Sequence, residues 1–183
     1  MIDISKLSPR QLSELHARVE DRLRKLEIIR TANNPTGDYA EFLFLTAFPR
    51  WKPAAKSQKG SDAVGPAPKK LRYQIKARRI IRDNANSRQL SAIRGLKEPN
   101  HFNFLAGLLF NKDHSVYKAA LIPHAVVLRL EDKKTHISYQ ERTHSHLFQF
   151  VDAIWEVDGV KDVTKRLLKA ENLIDQRHRS KIA

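Results

Sequence analysis

The chain has 183 residues, of which 41% are hydrophobic and 30% charged, with no cysteine and a formal net charge of +14. The lack of cysteine excludes disulfides and cysteine-based zinc sites, and the apolar fraction is that of a protein that buries a core rather than of a disordered chain. Because the sequence shows no apolar run of membrane-spanning length and no signal-peptide core, we expect a single cytoplasmic domain that does not enter a membrane.

The positive charge is concentrated in one part of the chain. Residues 50–99 contain fourteen Lys and Arg but only three acids, so +11 of the net +14 lies there. Such a concentration predicts a polyanionic partner. A basic protein that coats ribosomal RNA would also carry such a net charge, but its charge more often lies in tails or long low-complexity runs.

The N-terminal segment has a helix-start signal, with Ser8 as the cap, Pro9 at the first helical position and Gln11 completing a capping box. Apolar residues then recur at steps of three and four, which predicts an amphipathic helix to about residue 30. These residues are Leu12, Leu15, Val19, Leu23 and Leu26. We interpret this helix as structural.

A second helix is predicted from Thr36 to about Ala47. Its core face would consist of Ala40, Leu43, Phe44 and Ala47. Glu41 is then an acid among apolar neighbours, and acids are seldom found in such surroundings without a partner. Either it points to solvent or pairs with a nearby Arg or Lys, or it belongs to a site.

Residues 60–79 predict a β-hairpin, because the turn formers Gly65, Pro66 and Pro68 separate two short runs that can be extended. The second arm alternates between apolar and polar positions, as a strand with one buried face does. The apolar positions are Leu71, Tyr73, Ile75 and Ala77, and the polar positions are Arg72, Gln74, Lys76 and Arg78. A turn centred near Pro68 places Asp62 across from Gln74 and Lys76.

These polar groups suit a hard divalent cation, since Mg²⁺ binds oxygen ligands. The carboxylate of Asp62, the amide oxygen of Gln74 and the backbone carbonyl of Ile75 would supply such ligands. Lys76 would orient a water molecule or stabilise developing negative charge. The alternative is a surface hairpin whose charges are simply solvated.

Beyond the hairpin, the sequence predicts a loop, short helices and a pair of strands up to residue 130. Ile80 and Ile81 close the second arm. Residues 82–89 form a basic, Asn-rich loop, which either follows a phosphate backbone or is a plain connection, and residues 90–96 form a short helix. Residues 102–110 form a strand buried on both faces and 116–122 its partner strand. Residues 125–130 are interpreted as a helix, although Val126, Val127 and Leu128 are equally compatible with a strand.

The C-terminal part contains His144 and His146, which we interpret as solvated rather than as metal ligands. Residues 160–174 predict a closing amphipathic helix, and residues 177–181 a mobile basic tail. The sequence has no phosphate-binding glycine loop and no Ser-His-Asp arrangement, so chemistry that depends on ATP or NAD is not expected.

Taken together, the motifs are Gly37, Asp38 and Glu41 on a helix, Gly60 and Asp62 on one strand, and Gln74 and Lys76 on the next. This order resembles the PD-(D/E)xK nuclease superfamily, and the Gln-x-Lys form is most similar to its Mrr-type branch. The resemblance implies an α/β (α+β) fold with a restriction endonuclease-like central mixed sheet flanked by helices. It also implies that DNA, preferably duplex DNA, is the partner and that its phosphodiesters are hydrolysed with Mg²⁺ or Mn²⁺. The catalytic set is then Glu41, Asp62, Gln74 and Lys76, and the metal ligands are Asp62, Glu41, Gln74 and the Ile75 carbonyl.

We therefore expect one nuclease-like domain over residues 1–183. It consists of an N-terminal helix (1–30), a core with the catalytic hairpin (36–122), a C-terminal helical part (123–176) and a basic tail (177–183). The expected phosphate contacts are Lys69, Lys70, Arg78, Arg79, Arg82 and Arg88. A second copy of the chain is a further expected partner if both DNA strands are cut. The alternatives are a non-catalytic DNA-binding protein of the same fold and a basic RNA-associated structural protein.

Overall fold

The computed structural model describes residues 2–30, 35–55, 58–82, 88–98 and 101–179. Within these ranges the α-helices are α1 (Pro9–Lys25), α2 (Pro35–Ala47), α3 (His124–Asp132) and α4 (Thr164–Arg179). The strands are β1 (Lys52–Pro53), β2 (Ala63–Val64), β3 (Arg72–Arg79), β4 (Ile93–Arg94), β5 (Phe104–Phe110), β6 (Val116–Pro123), β7 (Ile137–Gln140), β8 (Ser145–Phe148) and β9 (Lys161–Asp162). None of the helices in the described ranges combines the length and the apolar character needed to cross a bilayer.

Six strands form a mixed sheet in the order β1-β2-β3-β5-β6-β9. Strands β3 and β5 run parallel, and the other neighbours run antiparallel. A smaller antiparallel sheet has the order β4-β8-β7. The expected mixed sheet accompanied by helices is thereby confirmed.

The large sheet is the middle of three layers, and each of its faces has its own apolar core. On one face, residues of β3, β5 and β6 pack with α2 and α4. On the other face, β5 and β6 pack with α3 and the smaller sheet. Strand β5 contributes to both cores and is buried almost throughout, as predicted for residues 102–110.

The register of β3 against β5 shows which side chains share a face. Gln74 lies beside Leu105 and Lys76 beside Gly107, and Leu105 belongs to the core on the α3 side. Ile75 and Ala77 belong to the core on the α2 side. Gln74 and Lys76 therefore lie on the face of the sheet opposite to α2.

The predicted hairpin is present with the expected register. Ala63 pairs with Tyr73 and Val64 with Arg72, so the midpoint of the hairpin falls at Pro68 and Asp62 lies opposite Gln74. The predicted face of α2 is also confirmed, since Ala40, Leu43, Phe44 and Ala47 are all buried.

Helix α1 has the predicted capping box between Ser8 and Gln11 but ends at Lys25, short of the expected residue 30. The chain leaves the helix because Glu27 adopts a left-handed conformation, with φ of 57°. No residue of α1 is buried, and Leu12 and Val19 are 42% and 49% exposed. The described part of the chain therefore covers the predicted apolar stripe only in part, since Leu15, Leu23 and Leu26 are half-buried.

The helix predicted for residues 90–96 is wrong. This segment contains the short strand β4, which pairs with β8. Leu90, Ile93 and Leu96 are all buried, and their three-residue spacing imitates a helix. Gly95, with φ of 63°, turns the chain directly after the strand.

Other boundaries also differ from the expectations. Ile81 lies beyond β3 and is 60% exposed. The closing helix α4 starts at Thr164, because residues 161 and 162 form β9 at the edge of the sheet, and it continues to Arg179 through the expected start of the tail. Residues 83–87 of the predicted loop and 180–181 of the tail lie outside the described residues.

His146 is buried rather than solvated, which corrects the interpretation of the His-x-His segment. Its side chain is 8% exposed, and its Nε2 atom lies 3.6 Å from a carboxylate oxygen of Glu131. Burial lowers its pKa, against the opposing effect of Glu131. His146 lies on β8 of the smaller sheet, a strand that the mixed polar and aromatic sequence did not reveal.

Because Leu105 is fully buried and Leu12 is not, the same substitution should have different effects at the two positions. Leu105→Ala should lower the free energy of unfolding by about 2–5 kcal/mol, whereas Leu12→Ala should lower it by less than about 1 kcal/mol. Urea denaturation followed by circular dichroism measures both. Equal losses would show that the apolar stripe of α1 is buried in solution.

Candidate active site

The edge of β3 next to β2 is the centre of the candidate site. Strand β2 pairs with β3 only at Arg72 and Tyr73. Just beyond this short ladder, the Ile75 N–H donates a hydrogen bond of 2.7 Å to Oδ2 of Asp62, and the Asp62 N–H donates one of 2.8 Å to the Tyr73 carbonyl. The Asp62 carboxylate thus takes the place that a neighbouring strand would have at Ile75.

The Ile75 carbonyl faces the same edge, because the N–H and C=O of one residue point to the same side of a strand. Asp62 and the Ile75 carbonyl therefore present oxygen atoms at one edge of the sheet. This is the arrangement that the sequence predicts for the two groups.

Gln74 is buried, with 6% of its surface exposed. Its Oε1 atom is one of five buried side-chain atoms in the described ranges that have no hydrogen-bond partner. Leaving such an acceptor unsatisfied costs about 1–3 kcal/mol, so native proteins usually provide it with a partner. The predicted polar face of β3 is thus partly covered, and its amide oxygen lacks a protein partner.

The charge of Asp62 is balanced by cations. Burial raises the pKa of Asp62, and the ammonium of Lys76 opposes this most strongly, followed by the Ile75 hydrogen bond and Arg30. Lys76 is half-buried on the strand that carries Gln74. The structure therefore brings Lys76 within electrostatic reach of Asp62, as the predicted site requires.

Glu41 reaches the same edge from α2. Its side chain is 23% exposed and accepts a 2.5 Å hydrogen bond from the guanidinium of Arg30. Burial and then the negative charge of Asp62 raise the pKa of Glu41 to about 7, while Arg30 opposes the rise. Glu41 thus pairs with an arginine, which was one of the alternatives, and also lies near Asp62.

Arg30 is a functional candidate that the sequence did not reveal. Besides its side-chain contact to Glu41, its backbone N–H donates a 2.7 Å hydrogen bond to Oδ2 of the buried Asp38. Arg30 lies beyond the end of α1, so no helical periodicity pointed to it. Its position is instead defined by these two contacts with residues of α2.

No three side chains of the types His, Cys, Asp and Glu form a group that could hold a metal ion within the described ranges. The predicted ligand set has another composition, with two carboxylates, one amide oxygen and one main-chain carbonyl. The unpartnered Oε1 of Gln74 fits this set, since Mg²⁺ and Mn²⁺ accept neutral oxygen ligands. The residues present therefore fit a hard divalent cation with few charged ligands.

Four of the predicted DNA contacts flank this edge. Lys69 and Lys70 are exposed in the hairpin turn that precedes β3. Arg78 is exposed and lies two residues beyond Lys76, on the same face of the strand. Arg82, just after β3, is exposed as well.

The other two predicted contacts lie elsewhere. By alternation along β3, Arg79 is on the opposite face from Lys76, and its charge adds to burial in lowering the pKa of His114. The Arg88 side chain is 18% exposed, lies 3.2 Å from a carboxylate oxygen of Asp152 and stacks over the ring of Tyr117. Arg79 and Arg88 are thus less available to a phosphate backbone than Lys69, Lys70 and Arg78.

Neither a scan of the chain against protein-family models nor a search of curated proteins finds a match.

The raised pKa of Glu41 has a consequence for stability in metal-free protein. Folding raises this pKa from 4.5 to about 7, so the folded state binds the proton more tightly than the unfolded state. The contribution of this proton to the free energy of unfolding is fully present below the pKa of the unfolded state. It is lost as the pH rises through the pKa of the folded state. We expect the parent to lose stability relative to Glu41→Gln between about pH 5 and about pH 8.

Urea denaturation in the presence of EDTA tests this expectation. The variant Glu141→Gln, which removes an exposed carboxyl, controls for the loss of one negative charge. If the difference in the free energy of unfolding between the parent and Glu41→Gln does not change with pH, the pKa of Glu41 is not raised.

Proposed function

We propose that the chain is a divalent-metal-dependent DNA endonuclease with a restriction endonuclease-like fold of the PD-(D/E)xK type. The observation that supports this most directly is the buried, unpartnered Oε1 of Gln74 opposite Asp62, at the edge of β3. A polar atom in this position calls for a ligand, and the surrounding oxygens and cations indicate which kind. The concentration of positive charge in residues 50–99 supplies the argument for a nucleic acid as substrate.

The residues that would hold the cation are Asp62, Gln74, Glu41 and the main-chain carbonyl of Ile75. A bound Mg²⁺ or Mn²⁺ would act as a Lewis acid toward a phosphodiester and make a nucleophilic water available near neutral pH. The Ile75 N–H fixes one oxygen of Asp62, so the orientation of the carboxylate is set before any ligand arrives.

Lys76 has the role of a cation beside the reacting phosphate. Its ammonium already neutralises part of the charge of Asp62. From the same position it would donate hydrogen bonds to the attacking water or to the oxygens on which negative charge develops. Hydrolysis would form a P–O bond to the oxygen of the attacking water, whose proton passes to solvent, and break the P–O bond to the leaving oxygen, which takes up a proton from solvent.

The exposed cations indicate how a duplex would lie. Lys69 and Lys70 stand before β3 and Arg78 near its end, so the strand with Gln74 and Lys76 has positive charge on both sides. A phosphate backbone that contacts both groups would cross the edge at Asp62. These contacts position the DNA and carry no sequence information.

A second candidate function, a non-catalytic DNA-binding protein of the same fold, is favoured by one observation. Glu41 is already paired with Arg30, so a counter-cation is present without any metal. In this alternative the guanidinium fills the role of the ion, and the site serves only to bind phosphate.

The proposal is tested with purified protein, supercoiled plasmid and Mg²⁺ or Mn²⁺, together with Mn²⁺ titration by calorimetry. We expect nicked or linear DNA from the parent. Asp62→Asn should abolish both cleavage and Mn²⁺ binding, because it removes the main charged ligand. Lys76→Met should lower the cleavage rate by on the order of a hundredfold and leave Mn²⁺ binding intact.

Two further variants sharpen this test. Asp132→Asn removes an exposed carboxyl at the end of α3 and should change nothing. Gln74→Glu adds a carboxylate at the unpartnered position and should bind Mn²⁺ more tightly than the parent, because hard cations gain from ligand charge. No heat of Mn²⁺ binding from either the parent or Gln74→Glu would leave the DNA-binding alternative.

The proposed DNA path is tested by the salt dependence of binding to a catalytically inactive variant. Replacing Lys69, Lys70 and Arg78 with Ala should flatten the slope of log K against log salt by about two to three units, since each phosphate contact contributes about 0.9. The matched control is Lys161→Ala with Lys165→Ala and Lys169→Ala, which removes three exposed lysines of β9 and α4. If the slope changes equally in the control, either the DNA lies elsewhere or the effect is only one of general charge.

A further inference from the structure

His101 is enclosed between two glycines that are far apart in the sequence. A Cβ atom at Gly60 would lie 2.4 Å from Cγ of the His101 ring, and one at Gly95 would lie 2.4 Å from its Nδ1 atom. Both distances are well below van der Waals contact, so any larger residue at either position would collide with the imidazole. Gly60 and Gly95 also have φ angles of 76° and 63°, which favour glycine for a second reason.

The orientation of the ring is set by Glu98. Its Oε2 atom lies 2.6 Å from Nε2 of His101, and the Glu98 N–H donates a hydrogen bond to the Gly95 carbonyl. Because the contact with the carboxylate places a proton on Nε2, a neutral imidazole has its lone pair on Nδ1. That Nδ1 atom is buried, and no partner for it is found within the described ranges.

The ring connects the two segments from which the site is built. Gly60 precedes Asp62 by two residues and lies outside β2, whereas the main chain of Asp62 is already hydrogen-bonded to Tyr73 and Ala54, so the ring contacts the stretch just before these bonds. On the other side of the ring, Asn103 is tied to β3 by hydrogen bonds of 2.8 Å in both directions with the backbone of Arg72. The His101 side chain therefore spans from the start of β5, beside β3, to the segment that leads into Asp62.

We propose that His101, oriented by Glu98 and packed between Gly60 and Gly95, is a positioning residue that sets the place of the Asp62 carboxylate relative to Ile75 and Gln74. Its functional importance rests on the proposed metal site. Mg²⁺ requires near-ideal ligand geometry, so a small displacement of Asp62 would weaken its binding. A role as metal ligand is not supported, because His101 and Glu98 form no such group with Asp62 within the described ranges.

The first measurement needs no metal. The Ile75 amide donates its hydrogen bond to Asp62, so its hydrogen exchange reports where the carboxylate lies. In EDTA, we expect His101→Ala and Glu98→Ala to speed exchange at Ile75 and to leave the buried Leu108 amide unchanged. Glu98 is 64% exposed, so its replacement should not impair folding. Glu98→Gln, which keeps an acceptor for Nε2–H, should restore protection.

The second measurement is Mn²⁺ affinity. We expect His101→Ala and Gly60→Ala each to bind Mn²⁺ on the order of tenfold more weakly, in the range known for residues that orient metal ligands. The double variant should be no weaker than the poorer single one, because removing the ring also removes its overlap with the new Cβ. Gly159→Ala is the matched control, since Gly159 has a φ of 90° but contacts Val126 instead of His101. It should lower stability without changing Mn²⁺ affinity.

These measurements distinguish a failure of the inference about His101 from a failure of the proposed function. Unchanged Ile75 exchange in both His101→Ala and Glu98→Ala overturns the inference, whatever the metal result. Unchanged Mn²⁺ affinity in folded His101→Ala, with only a lower melting temperature, also overturns it and leaves the ring with a packing role. A parent protein that binds no Mn²⁺ overturns the proposed function instead.

Discussion

The hydrogen bond from the Ile75 N–H to Asp62 is the interaction on which the candidate site depends. Strand β2 has only two residues and pairs with β3 at Arg72 and Tyr73. At the next residues of β3, which are Gln74, Ile75 and Lys76, this edge therefore has no neighbouring strand in the described part of the chain. A buried main-chain donor needs an acceptor, and the chain supplies a carboxylate in place of another strand. Once a carboxylate occupies that position, its charge requires neighbours of opposite sign. Lys76 from the same strand and Arg30 from the connection before α2 fill this requirement. The shortness of one strand thus accounts for the concentration of charged groups at one edge of the sheet.

The buried polar groups at this edge of the sheet lower the stability of the fold. Burial raises the pKa of both Asp62 and Glu41, which means that their ionised forms are poorly solvated there. The amide oxygen of Gln74 adds an unsatisfied acceptor. Natural proteins tolerate such arrangements mainly at functional positions, because the surrounding layers hold them in place. Here the support comes from two apolar cores, one on each face of the sheet.

The sequence predicted those parts of the site that depend on local pattern. Alternation along β3 and the proline-containing turn determined the hairpin register, and therefore the opposition of Asp62 and Gln74. It did not predict Arg30 or His101, whose positions depend on how distant segments pack. Arg30 follows the end of a helix, and His101 is enclosed by two glycines, Gly60 and Gly95, that both precede it in the chain. The smaller sheet was missed for a related reason, because strands of two to four residues are too short for periodicity to show.

The parallel pairing of β3 with β5 affects the order in which the molecule assembles. The β2–β3 hairpin joins residues about ten positions apart, whereas Gln74 meets Leu105 only after the whole intervening segment has closed into a loop. The smaller sheet brings Ile93 to His146 over a still longer separation. Contacts between distant residues form slowly, because the entropy of closing the loop must be overcome before they contribute. We therefore expect the hairpin with Asp62 to form early and to remain open to solvent on its Gln74 face until β5 docks, so that the buried polar cluster is completed late in folding.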